Sequence, residues 1–331
     1  GPIALRTALR PSGWNALSES ARGGFPRLHV LDNVDPVTIL ALLGRLNLAT
    51  TRFIVTSKSG GTAETLAQYL VVRDRLAQGG LSPKDHLVFV TDPGRGALRR
   101  IAGDEAIPTA DIPPNVGGRF SVLSPVGVLP AAMAGIDVQA LLDGAADMRR
   151  RCDAGELHRN PAGVFAVLQW LADTRHGRSG HVFMPYCDAL RDVAAWFIQL
   201  WAESLGKAHP TAGHVGPTPI AALGATDQHS QVQLFMEGPP DKTVTFVTVK
   251  AGAADVDIPA LHSDHPDLAY LAGHRLGELL DVEQRATAGA LAVRGRLNMT
   301  LDLERLDAWH VGGVLMMLEI ATAYAGALYG V

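Results

Sequence analysis

Cysteine is almost missing from this chain of 331 residues: Cys152 and Cys187 are the only two. Neither stands in a Cys-x-x-Cys or Cys/His spacing, which argues against a structural zinc site. Two thiols in so long a chain exclude a disulfide framework and point to a reducing compartment. Charge is sparse as well. With 19% charged residues and a net charge of −4, there is no basic stripe for a nucleic acid. The start shows no basic flank followed by an apolar run, so no signal peptide is read there. Also lacking are the P-loop, the dinucleotide-binding Gly-x-Gly-x-x-Gly, the Gly-x-Ser-x-Gly elbow and His-Glu-x-x-His, and neither cysteine has an obvious base nearby. One stretch, Val311–Val331, has the length of a membrane span. Glu319 near its middle would cost about 2.5–3.5 kcal/mol on insertion scales, and no Lys or Arg flanks its far end. It reads as a buried core helix, and the protein as soluble and cytoplasmic.

What the chain does have is a hydrophobic share of 47%, enough for a large core, and a length that suggests about two domains. Strand and helix patterns alternate, the mark of an α/β protein with a largely parallel sheet. Strands are expected at Leu28–Val30, Phe53–Thr56, Leu87–Thr91, His181–Pro185, Val244–Val249 and Leu297–Leu303. Helices are expected at Ile3–Leu9, Pro36–Leu46, Thr62–Leu76, Gly96–Ile101, Ser124–Ala134, Val138–Arg151, Pro161–Thr174, Ala189–Glu203, Thr226–Met236, Leu268–Arg294 and Leu306–Tyr329. The strands fall in two groups of three around a strand-free zone, Ser124–Thr174. Two α/β subdomains follow, residues 1–136 and 137–331.

The stretch Phe53–Leu76 carries the clearest chemistry. A β-branched run gives way to a loop with Ser57, Lys58, Ser59, Gly60, Gly61, Thr62 and Thr65, and then to an apolar helical face. Thr62 is a candidate N-cap, with Glu64 in the first turn. A hydroxyl-rich loop that ends on a helix N-terminus suits a phosphate, because free backbone N–H groups point outward and the glycines admit an anion. An ordinary strand-to-helix turn can look the same.

Three further stretches stand out. Asn115–Ser121 places a Gly-Gly pair before Arg119, whose planar fork of donors suits an oxyanion; a lone Arg more commonly caps a helix or pairs with a carboxylate. Gln199–Lys207 sets Glu203 at the end of an apolar helix beside Trp201 and Leu205, where shielding would raise its pKa toward that of a general base; an i,i+4 pair with Lys207 is the ordinary alternative. In Leu223–Gln231, capping by Thr226 or Asp227 would put Gln228, His229 and Gln231 in the first turns of a helix. His229 could exchange protons near neutral pH, though a structural histidine is the commoner case. Together these groups suit proton transfer on a phosphorylated small molecule.

Four segments in order resemble the glucose-6-phosphate isomerase family, in its compact bacterial form. They are SKSGGTAET (Ser57–Thr65), VGGRFSVLSPVGVLPAAMAGID (Val116–Asp137), QLWAESLGK (Gln199–Lys207) and GPTPIAALGATDQHSQVQLFMEGPPDK (Gly216–Lys242). The resemblance implies two sugar-isomerase (SIS) subdomains, each an α/β/α sandwich, assembled as a homodimer. It implies reversible aldose–ketose isomerisation of glucose 6-phosphate and fructose 6-phosphate, a step of glycolysis and gluconeogenesis, through a cis-enediolate. By match to the family's motifs, Ser57, Lys58, Ser59 and Thr62 bind the sugar phosphate and Glu203 moves the proton between C1 and C2. Arg119 holds the enediolate, and His229, from the neighbouring subunit, assists ring opening. No metal or organic cofactor, nucleic acid or membrane is expected.

The chain also departs from the family. Gly1-Pro2 could only be the tail of its Gly-x-Gly-Gly-Ser-x-x-Gly-Pro loop, and the Pro-Gly-Val-Glu-x-Gly-Lys motif, whose lysine serves the site, is not reached by Val331. Both ends are therefore expected to be missing. Two alternatives are a non-catalytic SIS sugar-phosphate sensor and a dual glucose/mannose isomerase. A sensor has no need of Glu203, Arg119 and His229 together, and the close match at Gly216–Gln233 argues against the dual enzyme.

Overall fold

A computed structural model describes residues 1–252, 254–262 and 264–331. Two compact units emerge: Gly1–Ile3 with Gly13–Ile136, and Ala4–Ser12 with Asp137–Val331.

The first unit is built on β1 (Phe53–Ser57), β2 (Leu87–Thr91) and β3 (Thr109–Asp111), all parallel and in that order across the sheet. Phe53 lies opposite Leu87 and Ser57 opposite Thr91, so the carboxyl ends of β1 and β2 finish side by side. In α/β sheets, ligands bind outside such ends. The helices before Ile136 are α1 (Pro2–Leu9, mostly in the second unit), α2 (Pro36–Leu43), α3 (Ala63–Gln78), α4 (Pro83–His86), α5 (Ala97–Glu105) and α6 (Pro125–Met133). Helix α3 buries Tyr69, Val72 and Leu76, one stripe at helical spacing. That stripe joins Val55, Leu87, Phe89 and Leu98 in the core, with Tyr69 edge-on to Phe89 at 5.3 Å.

The second unit holds the parallel sheet β7-β4-β8-β9, from β4 (Gly180–Pro185), β7 (Thr218–Ala221), β8 (Lys242–Ala251) and β9 (Asn298–Arg305). A separate antiparallel hairpin joins β5 (Lys207–His209) to β6 (Gly213–Val215). Burial is continuous over His181–Pro185 in β4 and Thr243–Val247 in β8. Successive side chains point to opposite faces, so both faces of this sheet are covered. Edge strand β7 contains Pro219, which an edge tolerates. The helices are α7 (Val138–Cys152), α8 (Pro161–His176), α9 (Arg191–Leu205), α10 (Val232–Glu237), α11 (Pro266–Ala269), α12 (Leu276–Val293) and α13 (Ala308–Tyr329).

Several expectations need correction. Leu28–Val30 forms no strand. The Asn15 side chain occupies its pairing groups, donating to the Leu28 carbonyl at 2.9 Å and accepting the Leu28 N–H at 2.9 Å. Thr226–Met236 is not one helix but a 3-10 turn, Thr226–Gln228, followed by α10. Asp227 takes the Leu223 N–H and the Ser230 hydroxyl, which folds the segment on itself. Leu268–Arg294 is broken between α11 and α12, where Gly273 adopts φ 81 and Asp257 bridges to Arg275.

Helix α13 alone among the described residues is long and apolar enough to cross a membrane. Here it is a core element packed on α7, α8 and α9, with twelve buried residues. The approach to α7 is backbone to backbone. A Cβ on Gly312 would collide with the Leu141 carbonyl, and one on Gly144 with the Trp309 carbonyl. Aromatic rings fill the space around α9: Phe165, Phe183, Phe197 and Trp201 pack with centroids 4.7–6.1 Å apart, Phe165 edge-on to Phe197 and Trp201. His181 joins them, its Nδ1 accepting from the Trp201 indole at 3.2 Å, and burial pushes its pKa down to about 4.

Glu319 lies within α13, 9% exposed, and its Oε1 has no hydrogen-bond partner among the described residues. Burial pushes its pKa up to about 8. The folded state therefore keeps a proton that the unfolded chain releases near pH 4.5. Glu319 thus favours unfolding progressively as pH rises from there to about 8, at about 1.4 kcal/mol per pH unit. Glu319→Gln removes this loss. Urea titrations should show the variant's stability relative to the parent rising between about pH 5 and pH 8 and level beyond; a pH-independent difference would show that Glu319 is ionised in the fold.

Candidate functional site

The Ser57–Thr62 loop leaves the carboxyl end of β1 and enters α3. The β1–β2 ladder fixes its start: the Thr91 hydroxyl donates to the Ser57 carbonyl at 2.7 Å and the Asp92 N–H to the Lys58 carbonyl at 3.3 Å. Its middle needs glycine. Gly60 (φ 64) is buried against Gly96 (φ 100), and a Cβ on Gly96 would lie 2.5 Å from the Ser59 carbonyl. Within the loop the hydroxyls converge. Ser57 Oγ lies 2.9 Å and Ser59 Oγ 3.5 Å from Thr62 Oγ1, and Ser59 Oγ accepts the Gly61 N–H at 3.2 Å. Thr62 is at the N-cap position of α3, as its sequence suggested, but its side chain makes no capping bond. It leaves the first N–H groups of the sixteen-residue helix uncapped by this hydroxyl, the condition for an anion to take that place.

Lys58 does not point out from the loop. Its ammonium donates to the carbonyls of Pro114 (2.9 Å) and Val116. These carbonyls precede the Gly118–Phe120 turn that bears Arg119, so the lysine ties the phosphate-type loop to the arginine loop. Arg119 is half-buried, its guanidinium 5.5 Å from the Phe120 ring centroid. The turn is closed by the Ser121 hydroxyl on the Gly118 carbonyl at 2.6 Å, and Ser124 caps α6 behind it. Arg119 therefore sits ahead of a helix start rather than at a helix C-terminus.

In the second unit, Glu203 is in the last turn of α9 and is exposed. The shielding by Trp201 and Leu205 expected from sequence is absent. Two residues along a helix is about 200° around it, so these two buried side chains face the core while Glu203 faces out. Lys207 bonds the Glu203 carbonyl at 2.8 Å, so the contact made is with the backbone. One neighbour was not singled out by its sequence: Gln199, one turn earlier, approaches the Glu203 carboxylate at 3.4 Å. The i,i+4 spacing in Gln199–Glu203 was the available signal.

His229 follows the Thr226–Gln228 turn and is exposed. The residues before it are firmly held. The Asp227 carboxylate is kept below its usual pKa, first by the Ser230 hydroxyl, with help from the Leu223 N–H. Gln228 Nε2 donates to the Tyr186 hydroxyl (2.6 Å), Thr287 Oγ1 (3.0 Å) and the Glu283 carbonyl (3.3 Å). Beside this turn a cavity of about 260 Å³ is lined by Arg191, Leu223, Thr226 and Asp227. Among the described residues no three metal-binding side chains cluster.

The family model described as phosphoglucose isomerase matches residues 1–264. The glucose-6-phosphate isomerase of Rubrobacter xylanophilus is 48% identical across 100% of this chain and 75% of its own length. A hypothetical protein from Thermus thermophilus superposes with a TM-score of 0.89 at 41% identity, over 100% of this chain and 76% of its own. A glucose-6-phosphate isomerase from Chlamydia trachomatis shares the fold, with a TM-score of 0.84 at 22% identity over 100% of this chain and 63% of its own. The fold is the α/β, mainly parallel architecture of SIS sugar isomerases, and this chain belongs to the phosphoglucose isomerase family.

Proposed function

We infer that the protein interconverts glucose 6-phosphate and fructose 6-phosphate, an isomerase step between an aldose and a ketose. The observation that carries the reading is the Ser57–Thr62 loop, where three hydroxyls gather before the uncapped start of α3. That geometry suits a dianionic phosphate, and family membership supplies the hexose.

The isomerisation oxidises C2 and reduces C1 of one sugar, so no external electron acceptor is required. One proton must leave C2 and one must arrive at C1, with an enediolate between them. Glu203 is the base: its exposed carboxylate can reach substrate, and Gln199 restrains it. Arg119, fixed in its turn by Ser121, offsets the charge that develops on the enediolate oxygens. Ser57, Ser59 and Thr62 hold the phosphate, and Lys58 adds a cation beside the loop while bracing the Pro114–Val116 backbone. His229 assists ring opening. Its exposure on a well-anchored turn fits a residue offered to a neighbouring subunit in a homodimer. The two units correspond to two SIS subdomains, and the working location is the cytoplasm. A sensor reading is disfavoured by the presence of Glu203, Arg119 and His229 in one chain.

Two kinetic outcomes follow. Glu203→Gln keeps the shape and removes the base, and should lower kcat by at least about 10²-fold with little change in KM for fructose 6-phosphate. Turnover near that of the parent would remove Glu203 from the role. Thr62→Ala deletes the hydroxyl on which Ser57 and Ser59 converge. It should raise KM for both sugar phosphates about tenfold while kcat falls less, as expected for a lost ground-state contact. A variant with unchanged KM would show that the loop does not hold the phosphate.

A further inference from the structure

The chain directly after Glu203 is held in place by a histidine that the reaction scheme does not use. Helix α9 ends at Leu205 and passes through Gly206 into the β5–β6 hairpin, with Lys207 opposite Val215 and His209 opposite Gly213. One side chain organises the turn of this hairpin. His209 Nδ1 accepts the Thr211 N–H at 3.2 Å and the Ala212 N–H at 3.0 Å, with the Thr211 hydroxyl at 3.3 Å. A ring nitrogen that accepts carries no proton, so the neutral imidazole bears its hydrogen on Nε2.

The Nε2 edge abuts the end of α13. Gly330, at φ 74, closes that helix by donating to the Ala327 and Gly326 carbonyls. A Cβ there would lie 2.9 Å from His209 Nε2 and 3.4 Å from its Cδ2. The base of the hairpin is equally tight against α9. Gly216 (φ 116) passes so near that a Cβ would lie 2.6 Å from the Leu205 carbonyl and 2.7 Å from the Gly206 nitrogen. Lys207 adds its bond to the Glu203 carbonyl. The last turn of α9 is thus continuous with a hairpin whose imidazole lies against the end of a core helix.

We propose that His209 is a positioning residue for Glu203: it caps the hairpin turn and seats it on the end of α13, which fixes the final turn of α9. The proposal rests on the reading of Glu203 as the base. A carboxylate that serves two adjacent carbons tolerates little displacement, and a shift of about 1 Å can cost up to about 10²-fold in rate.

The test compares the parent, His209→Ala, His209→Asn and Glu203→Gln in isomerase kinetics with fructose 6-phosphate, beside amide hydrogen exchange at Thr211 and Ala212. An asparagine Oδ1 can stand where Nδ1 stands and accept the same two N–H groups. His209→Ala should lower kcat by about tenfold or more, with KM within about twofold, and should speed exchange at both amides. His209→Asn keeps the cap but lacks the Nε2 edge, so it should restore protection at both amides and recover part of the lost kcat. Unchanged exchange in His209→Ala, unchanged kcat, a rise in KM alone, or an asparagine variant no better than alanine would each overturn the proposal. Full turnover by Glu203→Gln would instead remove the base assignment, leaving the exchange data to decide whether His209 caps the turn.

Discussion

Helix α13 can lie on α7 only because neither Gly144 nor Gly312 has a side chain. Each faces a backbone carbonyl of the other helix, from Trp309 and Leu141 respectively, so one methyl group at either position would force the axes apart. Much of the second unit follows from this contact. It draws α13 into the core between α7, α8 and α9, which in turn fixes where Phe165, Phe197 and Trp201 can pack. Close-packed interiors transmit such shifts rather than absorb them. Since α9 carries Glu203 and α13 ends on Gly330, a constraint deep in the core sets the placement of an exposed carboxylate.

The first unit uses the same device on a smaller scale. Gly60 and Gly96 meet backbone to backbone, and this allows the loop after β1 to fold down onto the start of α5. The alternative, a loop standing clear of the sheet, would scatter the hydroxyls of Ser57, Ser59 and Thr62. The ladder bond from Thr91 to the Ser57 carbonyl and that from the Asp92 N–H to the Lys58 carbonyl then hold the loop in register with β2. Hydroxyls are weak ligands singly, and these three converge on a loop that β-ladder and backbone hydrogen bonds hold in register.

Much of this was legible in the residues. Buried parallel strands such as Leu87–Thr91 and Val244–Val249 announce themselves by unbroken apolar, β-branched content, and α3 by its stripe and its hydroxyl-rich approach. Short or edge strands did not. Thr109–Asp111 is only three residues long, and Thr218–Ala221 holds a proline and half-buried residues, so neither has the content of a strand. Leu28–Val30 has that content yet pairs with a side chain, a choice made by Asn15 that no local pattern records. The candidate site residues were visible as types, but their settings were not. Glu203 looked shielded because Trp201 and Leu205 are near in sequence, whereas helical geometry turns them away. Lys58 was visible as a cation of the loop, but not that its ammonium also rests on two carbonyls more than fifty residues along the chain. The role proposed for His209 depends on its approach to Gly330, which no spacing suggests.

The turn before His229 is held on both sides by side chains. Asp227 grips the backbone of Leu223 and the hydroxyl of Ser230, while Gln228 is pinned by Tyr186, Thr287 and Glu283. The backbone on either side of the exposed imidazole is thus ordered when the chain folds. A partner that engages this histidine meets a ring on a stiff stalk, and the loss of conformational freedom has already been borne by the fold rather than by the encounter.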